Sequence, residues 1–234
     1  MNHSYIGSEL ELFAAATNWK TYFSSALAPF IGARVLEIGA GIGSNIPFLH
    51  SPTVRQWTSV EPDPDLASRI TERIRVGELP EICQVLVGTI ESVEETLRFN
   101  TVFYIDVLEH IADDAAELNC AAGHLAPDGN LVVLAPAHQF LFSEFDAAIG
   151  HHRRYDAVSL MAITPPRCRL RTCFMLDCVG FFASLANRFL LAATMPSTRQ
   201  IAFWDKVLVP LSRVLDNVTA HKFGKSIVAV WAPL

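Results

Sequence analysis

Charge is scarce in this 234-residue chain, where 18% of residues are Asp, Glu, Lys or Arg and 51% are hydrophobic. A disordered chain needs the reverse balance, so disorder is excluded. Paired cysteines are also lacking. The five cysteines (Cys83, Cys120, Cys168, Cys173, Cys178) are odd in number and contain no C-x-x-C pair. That argues against a disulfide framework or zinc ribbon and for a reducing, cytoplasmic setting. The last three are spaced by five, which fits neither metal nor redox use, so they read as core thiols. No basic-then-apolar leader opens the chain, since Met1–Leu12 is mixed and holds two glutamates. No repeat, low-complexity tract or long linker divides it, so one domain is expected. A net charge of −6 and a pI near 5.7 leave no broad basic footprint for general nucleic-acid binding.

The charge that is present is segregated. Residues 1–149 hold 7 Lys and Arg against 20 Asp and Glu, a net of −13, whereas residues 150–234 hold 11 against 4, a net of +7. Within the basic part, residues 173–195 contain 17 apolar residues in 23, long enough to span a bilayer. Asp177, Asn187 and Arg188 interrupt that run, so a buried or surface-lying helix after a strand is expected instead of a span.

Short apolar runs alternate with amphipathic stretches. Strands are predicted at Arg34–Ile38, Gln56–Val60, Ile82–Val87, Thr101–Ile105, Asn130–Ala135, Arg169–Cys178 and Ser226–Trp231. Helices are predicted at residues 8–28, with Ser8 and Glu11 as a capping box, and at Asn45–His50, Asp65–Arg75, Ser92–Arg98 and Asp113–His124. Pro210 should kink a helix over Thr198–Asn217 or begin a second one there. The fold class is α/β: a doubly wound, mostly parallel, seven-stranded Rossmann-like sheet with helical caps at both ends.

The strongest chemical signal is Glu37-Ile38-Gly39-Ala40-Gly41-Ile42-Gly43, a strand running into a glycine turn. A dinucleotide site would space its glycines G-x-G-x-x-G and set a pyrophosphate on the following helix. Here the spacing is G-x-G-x-G, and Glu37 would repel a pyrophosphate but suit an ammonium and a sulfonium. Glu61 ends the second strand, 20 residues after Gly41, where a carboxylate can accept both hydroxyls of a ribose. Adenosine joined to positive charge points to S-adenosylmethionine.

These residues resemble the class I S-adenosylmethionine-dependent methyltransferases over nearly the whole chain. Glu37, Gly39, Gly41 and Gly43 match the family's first motif and imply contacts to the methionine part. Glu61 implies the ribose contact. Thr89 stands where members often carry an adenine-facing aspartate. The run Tyr104–Ile111 looks like the family's stretch beside the cofactor, and Leu125–Gly129 is similar to its L-x-P-G-G turn, with Asp128 in a glycine position. The same resemblance implies cofactor contacts from Ala40, Asn45, Pro62, Ile90, Asp106, Val107 and His110, while Trp19, three residues from Tyr22 on one helix face, could close over the cofactor or pack on the sheet. A narrower likeness, carried by Ala16–Trp19, Pro136–His138 and Gly150–Tyr155 (GHHRRY), is to bacterial small-molecule methyltransferases.

Methyl transfer to a hydroxyl or amine benefits from a base, and histidine is the first candidate. His110, His138, His151 and His152 lie in loops after the fourth and fifth predicted strands, with Tyr155 able to orient a substrate. Arg153 and Arg154 follow an apolar loop and could hold an anionic acceptor, or else pair with the acidic part of the chain. No histidine–carboxylate cluster has metal-ligand spacing, so no metal is expected. The expected layout is a helical lid at 1–28, a cofactor core at 30–136, a substrate-side loop and cap helices at 137–220, and a final strand at 221–234. The reading is methyl transfer to a small-molecule acceptor, anionic or hydrophobic, with oxygen favoured over nitrogen or carbon. A nicotinamide-dependent oxidoreductase and a noncatalytic membrane-surface protein are the alternatives. An acceptor pocket, a homodimer interface or an anionic lipid surface would each account for the apolar surplus, and the first two are favoured.

Overall fold

The computed structural model describes residues 9–186 and 197–234. Ser8, Asn187 and Arg188 lie outside them, and with them the proposed capping box and part of the apolar run. The strands are β1 (Arg34–Ile38), β2 (Gln56–Glu61), β3 (Cys83–Val87), β4 (Phe99–Ile105), β5 (Leu125–Pro136), β6 (Cys168–Leu176) and β7 (Ser226–Pro233). They form one seven-stranded sheet in the order β3-β2-β1-β4-β5-β7-β6. β1 to β5 are parallel, while β7 runs antiparallel to both β5 and β6.

Both faces of the sheet are covered, which is why its strands read as continuous apolar runs. Alternate residues go to opposite sides. Val35, Phe103, Val132 and Val230 join one core cluster, and Leu36, Tyr104, Val133 and Trp231 join the other. The first cluster is closed by α2 (Thr17–Leu27), α3 (Ile46–Leu49) and α4 (Pro64–Arg75); the second by α5 (Asp114–Gly123) and, through Leu160, a short helix over Ala157–Ala162.

Several elements differ from expectation. The predicted first helix is two, α1 (Glu9–Ala14) and α2, broken at Ala15–Ala16. Ser92–Arg98 is not a helix: a 3-10 turn over Ile90–Ser92, boxed by Thr89 and Ser92, satisfies the local backbone, and turns follow. The fifth strand starts earlier, because Phe99 pairs with Leu125 but Thr101 with Asn130, so Ala126–Gly129 bulge out inside one strand. The sixth stops at Leu176. Asp177 adopts φ 68 and its side chain accepts from the Gly180 amide at 3.0 Å, which turns the chain into a helix over Cys178–Ala186. The helix expected at Thr198–Asn217 comes in three pieces: Thr198–Phe203, a π turn over Trp204–Leu208, and Val209–Val218 with Pro210 in its first turn. Among the described residues no helix is long and apolar enough to cross a membrane.

Candidate active site

The strand order reverses between β1 and β4, and in open parallel sheets the crevice beyond that switch point is where ligands bind. A cavity of ≈ 210 Å³ lies there, bordered by the glycine turn after β1 and by Asp106 after β4. Gly39, Gly41 and Gly43 have φ of 67, 56 and 70°, a region that costs other residues about 1–2 kcal/mol each. At Gly39 a Cβ would also stand 2.5 Å from Cγ2 of Val107. The turn is tied to the second strand by the Gly39 and Ala40 amides, which donate to the Val60 carbonyl at 2.8 and 3.1 Å. Backbone therefore faces the cavity, with Ala40 beside it.

The two carboxylates read from the sequence stand behind this turn. Glu37 is buried and accepts from Asn45 Nδ2 at 3.2 Å and Trp57 Nε1 at 3.1 Å. Burial pushes its carboxyl up to about 7, against the pull of those two donors and of Lys20. Glu61 accepts from the Gly41 amide at 2.7 Å and the Asp63 amide at 3.0 Å. Burial raises its carboxyl too, with those amides opposing. Neither side chain borders the cavity directly. Trp19 does, in edge contact with Tyr22 and Phe23. Pro62 is half-buried, Thr89 is exposed and Ile90 is buried, all outside the cavity wall. Asp106 is held at φ 52 and opens onto the cavity; burial raises its carboxyl, and His151, Lys20 and Lys225 oppose the rise.

The loop after β5 supplies the other wall. Here a short helix over Glu144–Ala148 presents Asp146, whose side chain is 1% exposed and gathers three partners. His151 Nδ1 lies 3.0 Å from Asp146 Oδ1. Arg154 donates to both carboxylate oxygens at 2.9 and 2.8 Å. Ser143 donates to Oδ2 from its amide and its hydroxyl at 2.8 and 2.7 Å. Burial alone would push the Asp146 carboxyl up, but these donors outweigh it and hold it well below the usual carboxylate range. With Nδ1 engaged by Asp146, Nε2 is the His151 ring nitrogen left for another partner.

Of the four candidate histidines, His110 and His151 border the cavity, their rings edge-on with centroids 4.5 Å apart. Burial, reinforced by His151, lowers His110 to about 4. His138 takes φ 66 and places Nε2 3.1 Å from the Gly224 carbonyl among Phe140 and Phe181, away from the cavity. His152 is exposed. Tyr155 is buried beneath the site, donating to Asp114 Oδ2 at 2.8 Å. Arg153 pairs with the same Asp114 at 2.7 Å and donates to the Ala112 carbonyl. Arg154 borders the cavity, with Nε and Nη2 serving Asp146.

Sequence reasoning missed several cavity groups. Glu109 is fully buried, and neither carboxylate oxygen finds a hydrogen-bond partner; burial, then Asp106, holds its carboxyl well above the ordinary value. Its Oε1 is 3.8 Å from His151 Nε2. Glu109, His110 and His151 bring one ligand atom each within 4.8 Å of one another, a set that could hold a metal ion. Forty residues of chain separate its members, so spacing could not reveal it. Lys20 donates to Ser44 Oγ at 3.0 Å and Asn45 Oδ1 at 2.8 Å, and burial lowers it to about 8. Lys225 packs its Nζ 4.4 Å from the Trp204 ring centre, and burial lowers it as well.

A family model described as a methyltransferase domain matches residues 12–169, which take in the glycine turn, Glu61, Glu109 and the Asp146–Arg154 loop. The chain belongs to this methyltransferase family. A curated relative, the ubiquinone biosynthesis O-methyltransferase of Xylella fastidiosa (strain 9a5c), is 30% identical over 154 residues, covering 57% of this chain and 61% of that protein. The chain thus spans about three fifths of that relative's length. Among solved structures, a geranyl diphosphate methyltransferase in complex with SAM aligns with a TM-score of 0.67 at 11% identity, over 97% of this chain and 91% of that one. A coclaurine N-methyltransferase bound to N-methylheliamine and SAH aligns with a TM-score of 0.62 at 13% identity, over 91% and 71%. At these identities the likeness establishes the fold: the seven-stranded, mostly parallel sheet with its antiparallel hairpin.

Proposed function

We propose that this methyltransferase moves a methyl group from S-adenosylmethionine to an oxygen of a small-molecule acceptor, with His151 as the base. The observation that carries the reading is the Asp146–His151 pair opening onto the same cavity as the glycine turn.

The chain's own groups fit that cofactor. Left-handed Gly39 and Gly41 border the cavity with bare backbone, and Glu37, buried behind it, offers negative charge to a cationic amino acid. When bound, S-adenosylmethionine supplies a methyl on a sulfonium, an electrophile whose leaving group needs no further activation. Glu61 would hold the ribose hydroxyls, and Asp106 would face the charged part. The acceptor would lie against Trp19, Phe145, Ile149 and Trp204, which exclude water. Asp146 fixes the tautomer of His151, so that Nε2 takes the hydroxyl proton as the acceptor oxygen attacks. The O-methyltransferase name of the 30%-identical relative supports oxygen as the acceptor atom. The GHHRRY loop, which supplies His151 and Arg154, supports a small-molecule acceptor.

His151→Ala should lower kcat about 10²- to 10⁴-fold while leaving cofactor affinity within a factor of two or so. Turnover unchanged by that substitution would sink the base assignment. A second reading rests on Glu109, His110 and His151: a divalent ion held there would bind and acidify the acceptor hydroxyl instead. Chelation separates the two. The base reading expects full activity after extensive dialysis against EDTA, and the metal reading expects its loss.

A further inference from the structure

The segment from Thr198 to Val218 buries Ile201, Trp204 and Val209 against the core and two carboxylates beside them. Its carboxylates point inward. Asp205 accepts from the Trp19 amide at 2.9 Å and from Asn18 Nδ2 at 3.0 Å, closing the start of α2. Asp216 accepts from the amides of Asp177 and Cys178 at 2.7 and 3.0 Å and from the Tyr22 hydroxyl at 2.6 Å. The inner face is therefore accounted for by core packing and by buried helix-start amides that need acceptors. Its outer face is apolar. Phe203, Val207, Leu211, Val214 and Val218 are 57, 49, 48, 63 and 78% exposed and follow one another at steps of three or four. Nothing in the described fold uses them.

Charge selects among occupants. Every exposed ionisable residue from Arg199 to Lys222 is basic, namely Arg199, Lys206, Arg213 and Lys222, because the two aspartates are buried. Lys206 adjoins Val207 and Arg213 adjoins Val214, so cations flank the apolar ridge along its length. A second copy meeting this face across a two-fold axis would set these cations near their own images. An anionic phospholipid surface meets both requirements at once: headgroups for the cations and an acyl boundary for the ridge.

We infer that the outer face of residues 198–218 docks this protein onto anionic lipid bilayers, lying in the interface without spanning it. The same turn faces Trp204 into the catalytic cavity, so docking would bring the cavity close to the lipid.

The test is co-sedimentation of the full chain with phosphatidylcholine vesicles, with and without phosphatidylglycerol. Binding is expected to the anionic vesicles alone. Lys206→Glu with Arg213→Glu should weaken it about tenfold or more. Val214→Asp should weaken it comparably, with the thermal midpoint and vesicle-free methyl transfer unchanged, since all three side chains are exposed. Wild-type protein that stays in the supernatant, that binds both vesicles equally, or that binds as well after these substitutions would overturn the proposal. So would a concentration-dependent dimer dissolved by Val214→Asp, which would give the face to a second copy. Cofactor binding is read separately, by calorimetry without vesicles, so failure here leaves the methyltransferase reading untouched.

Discussion

Two walls of one cavity are built by opposite means. The turn after β1 does it with backbone: left-handed glycines, amides tied to Val60, and carboxylates held behind. The loop after β5 does it with side chains, converging His151, Arg154 and Ser143 on a single buried carboxylate. A backbone wall is as strong as its steric exclusions, and a side-chain wall as strong as its least replaceable charge. The two should therefore fail differently.

The largest effect is expected in the side-chain wall. Asp146→Ala leaves Arg154 nearly buried without a counter-charge and frees His151, which should cost about 3–5 kcal/mol in urea denaturation. Its acid profile sharpens the point. A carboxyl held below its ordinary value contributes stability above that value and loses it as pH falls, so the variant should lose less stability than wild type on acidification below about pH 4. A variant as stable as wild type would mean that Arg154 is solvated and that the wall is not held by charge.

Next comes the backbone wall. Gly39→Ala combines left-handed strain with a methyl group driven into Val107, for about 2–4 kcal/mol and weaker cofactor binding. Val107→Ala should restore part of that loss by making room. No rescue would place the cost in φ alone.

Smaller still is the pH dependence of cofactor binding. Glu37 is raised to about 7, so the folded protein favours its proton and loses stability as pH climbs from about 4.5 toward that value. A cationic ligand recovers the loss by favouring the carboxylate. Affinity for S-adenosylmethionine should accordingly rise about tenfold between pH 6 and pH 8, and Glu37→Gln should flatten the rise. A flat wild-type profile in calorimetry would remove Glu37 from cofactor recognition. Smallest is Tyr155→Phe, at about 1 kcal/mol, because Arg153 remains to satisfy Asp114.

The same contrast explains what could be read from sequence. Glycines at left-handed positions must be glycine wherever the turn occurs, so a seven-residue pattern announces the backbone wall and, with the alternating strands, the sheet. Asp146 carries no such mark. Its role depends on a five-residue helix that turns it toward His151 and Arg154, five and eight positions on. Glu109 and His151 meet only because β4 and β5 are neighbours. The missing helix at Ser92–Arg98 shows the limit of periodicity, since Ser92 is used to box a 3-10 turn. Asp205 and Asp216 invert ordinary helix logic because their partners are helix starts far away in sequence.

The π turn over Trp204–Leu208 has a consequence for how this face could change. A π turn holds one residue more than the α-helical turn it replaces, and each residue along an α-helix rotates the next by about 100°. The turn can therefore give up one residue and become α-helical with Val209–Val218 left facing as it does, whereas a deletion after it would shift every later residue by that angle and set Arg213 and Asn217 where Ser212 and Asp216 are buried. The one residue of slack at this turn is where chain length can vary without a different face being turned outward.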